Sequence, residues 1–485
     1  MVLAAKDLKK RAFSGVSVLV LRDLLKQPIA FFTFLFLSIY LQAWELGVFW
    51  AVSEVIGFLG YFSDIGLAAA LIQKKGKPSK EEIRTTFTIQ QIIVLSLIGL
   101  SWLLMPFLQN RFGFGEEGRL LFFALLGGFF TASLKTIPSV QLERRLRFDR
   151  LAIVDLAEQI IFSGLAVFMA WKGLGVSSWI GAVLARGIVG VVLIYIFSPW
   201  SIGISFDFQS IKNLFNFGLP FQANSLLAVI KDRLVNIFLW GIIKSEGMGI
   251  MGWAQKWSQL PLRFLMDSVI RVTFPAYSRM QKQRERLSKA LEKTSFLVNL
   301  LVFPALAGMG LAIPWLVGIF PQYQKWSIAL VPLWLYLINY AFGAATTPLV
   351  NAFNAVGKVK LNLKLMVFWT ILTWVLTPTL AKLYGVNGAV LGLALVSASS
   401  VFAWIIVKKE FKISLLKAIG QPALFTFLMT IILLGLRMAL PFNVFGLILL
   451  VLVGGLVYSL IVYSFAKTEL TWLFSNLKSL IKRKK

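Results

Sequence analysis

The sequence has 485 residues, 58% of them hydrophobic, a formal net charge of +28, and neither cysteine nor histidine. Disulfides, Cys or His metal sites, thiol nucleophiles and histidine acid–base chemistry are therefore excluded, and nothing in the sequence asks for a cofactor. A mean hydropathy of +0.79 and apolar runs of membrane-spanning length from end to end read as an all-α, polytopic membrane protein.

The N-terminal tail places Lys6, Lys9, Lys10 and Arg11 before a first span at about Phe13 to Gln42. This resembles the start of a signal peptide, but the apolar run is too long and is interrupted by Arg22, Asp23 and Lys26. It is expected to stay uncleaved, with a bend where Pro28 removes a backbone donor. Spans at Trp44 to Ile72, Phe87 to Phe107, Leu120 to Leu142, Leu151 to Trp171 and Ser177 to Ser198 complete a six-helix lobe over residues 1–198.

Residues 199–214, with scattered Trp, Phe and Ile, read as an interfacial linker on the inner membrane surface. A second six-helix lobe over 215–407 follows, with spans at Phe215 to Ile243, Met248 to Ala276, Phe296 to Phe320, Trp326 to Val356, Leu365 to Leu383 and Val386 to Val407. Residues 408–485 add two helices, Ile419 to Leu440 and Val444 to Ala466, and a basic tail. The expectation is thus about fourteen transmembrane helices, in two pseudo-symmetric lobes around a central cavity with a two-helix appendix.

This topology explains the charge. The alternate connections and both tails carry roughly two thirds of the Lys and Arg residues, whereas the opposite face has only Arg111, Arg119, Lys172, Lys244, Lys325, Lys382 and Arg437. The bias places both termini in the cytoplasm and the protein in the inner (plasma) membrane, its basic face toward anionic lipid. Nucleic acid is not an expected partner, because no stretch outside the spans could build a domain to bind it.

A weak internal repeat of about 210 residues supports the two lobes. Arg22-Asp23 falls opposite Lys231-Asp232, and the basic connection after ALIQKK (Ala70 to Lys75) falls opposite the one after SRMQKQ (Ser278 to Gln283). Six spans separate each pair, which describes a parallel repeat about an axis along the membrane normal.

The functional signal is charge inside the spans. Between Val229 and Met280, two apolar segments contain Lys231, Asp232, Arg233, Lys256, Arg263, Asp267 and Arg271. Facing lipid, they would cost on the order of 20 kcal/mol together. Most must therefore face one another or a wet cavity. Arg22, Lys26 and Arg263 fall near mid-membrane, with Lys231, Arg233 and Lys256 close by, a cationic set suited to the oxygens of a phosphate. Glu54, Asp64 and Asp267 are the candidates for ion coupling. The competing reading is internal salt bridges, joining Glu54 or Asp64 to Arg22, Asp267 to Arg263 or Arg271, and Asp232 to Lys256. Lys135 and Arg186 read as cavity members or as contacts to an interface. Asp155 and Glu158 read as surface partners of Arg144 to Arg150. Trp253 and Trp257 read as core or belt, with stacking on a sugar as the alternative.

At Leu46 to Lys75 the chain reads LGVFWAVSEVIGFLGYFSDIGLAAALIQKK, at Met251 to Gln281 it includes QLPLRFLMDSVIRVTFPAYSRMQ, and at Pro348 to Lys358 it reads PLVNAFNAVGK. These segments resemble the polysaccharide or O-antigen flippases of the multidrug, oligosaccharidyl-lipid and polysaccharide exporter superfamily, in sequence order over nearly the whole chain. The resemblance implies two six-helix lobes and export of an undecaprenyl-pyrophosphate-linked oligosaccharide from the inner to the outer leaflet by alternating access. It also implies cavity-facing arginines on helices 1 and 8, here Arg22 and Arg263, holding the pyrophosphate. Glycan polymerase or assembly proteins are implied partners, and a transporter rather than an enzyme is expected. The segment after helix 6 departs from the family in lacking basic richness. Two other functions compete: a multidrug cation antiporter of the same fold, which needs carboxylates at the cavity centre, and a membrane-embedded polymerase or glycosyltransferase, for which the outer connections are short.

Overall fold

The computed structural model describes residues 5–63, 66–74, 76–208, 226–227, 229–263, 266, 273 and 277–466. Its described elements are all helical. In chain order they are α1 (Ala5–Tyr40), α2 (Ala43–Tyr61), α3 (Leu67–Gln73), α4 (Lys80–Leu103), α5 (Met105–Phe112), α6 (Gly115–Arg144), α7 (Phe148–Trp171) and α8 (Ser177–Phe197). A π-helical turn at Ile230–Leu234 leads into α9 (Val235–Ser258). Then come α10 (Arg284–Ile319), a 3₁₀ turn at Pro321–Ala329, α11 (Leu330–Ala355), α12 (Val359–Ala398), α13 (Val401–Phe411), a π-helical turn at Leu416–Gly420, α14 (Gln421–Ala439) and α15 (Val444–Phe465).

Eleven segments among the described residues are long and apolar enough to cross a membrane, so this is a multi-pass membrane protein. The difference from the expected fourteen has identifiable sources. α1 is not among the eleven. Two of the eleven contain a break, at Lys244 (φ 59°) and at Tyr384 and Gly385, where Gly385 has φ 60°. Parts of the predicted seventh and eighth spans lie outside the described residues.

Boundaries move for physical reasons. The predicted second span is interrupted after Tyr61, and Gly66 in the left-handed region (φ 75°) opens α3. The third begins at Lys80, where Ser79 and Glu82 form a reciprocal capping box. The ninth begins at Arg284 rather than Phe296, because Leu287 and Leu291, four apart, extend an apolar stripe through the charged stretch into a cluster with Leu349 and Phe353. Hydropathy falls where charge begins, but a helix held by one apolar face does not end there.

The chain divides into two compact units, residues 1–249 and 250–485. In the first, α7 packs against α1 and α8, and α6 against α8 and α2. Phe49 stacks on Trp179 with centroids 3.8 Å apart, and Phe162 lies beside both rings. α2 and α9 touch backbone to backbone. A Cβ on Gly47 would strike the Ser245 carbonyl and lie 2.7 Å from the Gly249 amide nitrogen, and one on Gly249 would strike the Ala43 carbonyl. This is the close approach that small residues permit between membrane helices, where packing supplies the association energy. Residues 199–207 run without helix; the Ser205 and Asp207 amides donate to Thr88 and Thr85 of α4 at 3.2 Å each, and Ile202, Ile204, Phe206 and Phe208 are exposed.

In the second unit, α10 packs against α11 and α14, and α11 against α12. Trp253 and Trp326 are fully buried and stacked at 5.1 Å, and Trp257 is buried beside Trp253. Trp253 and Trp257 are therefore core residues and present no face to a sugar. Buried Asn299 donates to the Ala418 carbonyl at 2.9 Å, satisfying an acceptor in the second π-helical turn.

Candidate functional site

The described intramembrane charges of the first unit are distributed over α1, α2, the first π-helical turn, α6, α7 and α8. Arg22, at the centre of α1, donates from one Nη to Asp155 Oδ2 of α7 at 2.7 Å, and from Nε and the other Nη to its neighbour Asp23 at 3.1 and 2.9 Å. The guanidinium is 23% exposed and thus largely enclosed by carboxylates. Lys26, one turn along the same helix, is half-buried and has no ion pair among the described residues.

Glu54 of α2 accepts from Arg233 at 3.1 Å and from the Asn236 amide at 3.4 Å. Lys231 pairs with adjacent Asp232 at 3.0 Å. These three charged residues lie in the π-helical turn, whose extra residue per turn shifts the side-chain register and delivers Arg233 to α2. Arg22-Asp23 and Lys231-Asp232, which the sequence repeat aligns, make the same base-to-neighbouring-acid pair.

A third cluster lies in α6, α7 and α8. Glu158 of α7, 5% exposed, accepts from Lys135 of α6 on one oxygen and from Arg186 Nε of α8 at 3.3 Å on the other. The carboxyl fits because position 190 on α8 has no side chain: a Cβ on Gly190 would lie 2.7 Å from Glu158 Cδ.

In the second unit Lys256 is half-buried on α9. Arg263 is exposed, and its amide donates to the Gln259 carbonyl at 3.0 Å, so the chain is still helical there. Arg263 has no ion pair among the described residues. Asp64, Asp267 and Arg271 lie outside the described residues.

Several expected pairings are replaced by others. Arg22 meets Asp155 rather than Glu54, Glu54 meets Arg233, and Asp232 meets Lys231 rather than Lys256. Asp155 and Glu158 are not surface partners of the basic connection at Arg144 to Arg150; they point to three cations on three other helices. A signal for this was present in the sequence: two acids three apart share a helix face, and the unexplained cations at Arg22, Lys135 and Arg186 all sit at mid-span of the same lobe. Among the described residues no group of His, Cys, Asp or Glu could hold a metal ion.

Arg22, Lys135, Arg186, Lys231 and Arg233 are thus each paired with a carboxylate, whereas Lys26 and Arg263 have no ion pair among the described residues. Residues 37–328 match the polysaccharide biosynthesis protein family, more than half of the chain. The chain belongs to this family.

Its relatives include proteins named for transport and biosynthesis of polysaccharides. The chain is 23% identical over 381 residues to the succinoglycan biosynthesis transport protein ExoT of Rhizobium meliloti, covering 76% of this chain and 74% of that one. It is 22% identical over 370 residues to the lipopolysaccharide biosynthesis protein WzxC of Escherichia coli, covering 73% and 71%. Among solved structures, the lipid II flippase MurJ in an inward closed conformation superposes with a TM-score of 0.73 at 14% identity, over 92% of this chain and 99% of that one. An inward-facing multidrug resistance MATE transporter gives 0.61 at 16% identity, over 78% and 94%. The polysaccharide biosynthesis protein thus has the fold of these transporters, and the expected all-α, polytopic membrane class holds; the described residues do not fix the count of fourteen helices.

Proposed function

We propose that this polysaccharide biosynthesis protein is a flippase that moves an undecaprenyl-pyrophosphate-linked oligosaccharide from the inner to the outer leaflet by alternating access. The observation that carries the reading is the imbalance of charge within the spans: Asp23, Glu54, Asp155, Glu158 and Asp232 are each engaged by a cation, while Lys26 and Arg263 have no ion pair among the described residues. A pyrophosphate is the matching group, small, doubly anionic and able to take charge-assisted hydrogen bonds from several cations at once.

In this reading Lys26 and Arg263 contact the pyrophosphate, joined by Arg22 once its carboxylates yield, with Lys231, Arg233 and Lys256 lining the glycan's path. The polyprenyl tail stays in lipid. Residues 1–198 and 215–407 are the two lobes, 199–214 the interfacial linker and 408–485 the two-helix appendix. The basic connections and both termini face the cytoplasm at the inner membrane, against anionic lipid, and assembly proteins or a glycan polymerase act on the same product. Glu54 is a coupling residue only if Arg233 releases it during the cycle; Asp64 and Asp267 are the other candidates. The multidrug reading needs central carboxylates free to bind a cation, and those described are already engaged.

The test is to delete the gene and identify by mass spectrometry the lipid-linked sugar retained on the inner leaflet, then restore export with the wild type. Arg263→Ala is expected to insert normally and fail to restore export. Absence of any retained lipid-linked sugar in the deletion strain overturns the flippase reading; full export by Arg263→Ala overturns only the site.

A further inference from the structure

Glu158 is nearly enclosed, and its two cations hold it unequally. Lys135 is only 20% exposed and gives its ammonium to one oxygen. Arg186 is 43% exposed and offers Glu158 only its Nε, at 3.3 Å. The face of its guanidinium lies over Phe162, with Cζ 5.7 Å from the ring centroid. No described residue pairs with its two Nη groups. One carboxylate cannot neutralise two cations, so the cluster keeps one positive charge, and it resides on the arginine.

The direction of Arg186 follows from α8. Leu184, Ile188, Val192 and Ile196 are exposed at 41%, 60%, 52% and 65%, spaced four apart, and form the apolar stripe that suits lipid. Arg186 is two residues from both Leu184 and Ile188, about 200° around the helix at about 100° per residue, on the opposite face. On that face Ala182 and Gly190 are buried against the neighbouring helices. A guanidinium that is half-way along a membrane helix, turned away from the lipid stripe and still exposed must face water or an anion.

We propose that Arg186 is an anion-binding residue of the transport path, and that its two Nη groups take a pair of oxygens from the cargo's phosphate or from a carboxylate-bearing sugar. Its Nε is fixed by Glu158 and its plane by Phe162, so the remaining edge is a preorganised fork for two oxygens. Glu158 is then a positioning residue that also competes with the ligand for the same charge. The inference deepens the transport reading above and rests on it.

The test is calorimetric titration of the purified full-length protein with geranyl pyrophosphate and, separately, with D-glucuronate. Arg186→Ala is expected to weaken binding of one probe at least about tenfold, the loss of one bidentate charged contact. Loss confined to the pyrophosphate identifies the phosphate as the source, and loss confined to glucuronate identifies an acidic sugar. Arg186→Lys, which keeps a cation beside Glu158, is expected to weaken binding less than Ala. Glu158→Gln keeps an acceptor for Nε but removes the competing charge, so it is expected to tighten binding about threefold, opposite in sign to Arg186→Ala. A wild type that binds neither anion overturns the proposal, as does an Arg186→Ala variant that binds both like the wild type. Weaker binding in Glu158→Gln and Arg186→Ala together, with melting points falling in parallel, assigns the cluster to folding and also overturns it. Binding is read without export, so a protein that binds as expected but retains no lipid-linked sugar when deleted sinks the transport reading alone.

Discussion

Replacing Gly47 by Ala tests the packing argument most directly, because helix propensity and tertiary contact predict opposite signs. In an unobstructed helix interior, Gly→Ala stabilises by up to about 1 kcal/mol. The Cβ added at Gly47 would instead strike the Ser245 carbonyl and sit 2.7 Å from the Gly249 nitrogen, both backbone atoms within a helix and neither able to swing aside. Ordinary carbon contacts to such atoms are about 3.3 Å or more, so α2 and α9 must part by well over an ångström at the Ser245 carbonyl. A gap of only about 0.5–1 Å already forfeits a quarter to a half of each dispersion contact around it. Overpacking of this kind costs about 1–3 kcal/mol, and the upper end is expected where the obstacle is backbone. The control is Gly99→Ala in α4, where the added Cβ meets nothing within 4 Å. Melting of detergent-solubilised protein, followed by size-exclusion fluorescence after heating, should show Gly47→Ala below the wild type and Gly99→Ala level with it or above. Equal midpoints for the two variants would refute the close-approach argument.

Two further measurements bear on the same framework. A double-mutant cycle on Glu54→Ala and Arg233→Ala should give a coupling of about 1 kcal/mol, discounted from a buried pair because Arg233 is 42% exposed; a coupling near zero would remove this pair from the structure's stabilising contacts. Ser79→Ala removes the side-chain acceptor for the Glu82 amide at 3.0 Å and should destabilise by about 1 kcal/mol, read as a lower melting midpoint, whereas Ser79→Asp should hold the wild-type value.

Membrane class, helical architecture and the presence of buried charge were legible because each rests on local composition. Apolar runs of spanning length have one solution in lipid, since only a helix satisfies its own backbone there. The positions of Arg22, Glu54 and Arg233 inside such runs could be read in the same way, and so could the likeness of Leu46 to Lys75 and Met251 to Gln281 to one family. Helix ends were less accessible. The start of α10 at Arg284 depends on Leu287 and Leu291 finding Leu349 and Phe353 across the second unit, and a hydropathy window sees only the charges between them.

What the sequence by itself determined is that its midplane cations need partners or water, because the cost of leaving them in lipid is a property of each side chain alone. Which partner each one finds was decided by tertiary structure. The sequence offered Arg22 either Glu54 or Asp64 and read Asp155 as a surface residue, and only the packing of α1 on α7 selects Asp155. Glu158 looked like a surface residue until α6 and α8 brought Lys135 and Arg186 to its two oxygens around the space left by Gly190. Ion pairing acts over a few ångströms, and separations of 133 residues for Arg22 and Asp155, or 179 for Arg233 and Glu54, are closed by helix packing, which no local pattern encodes.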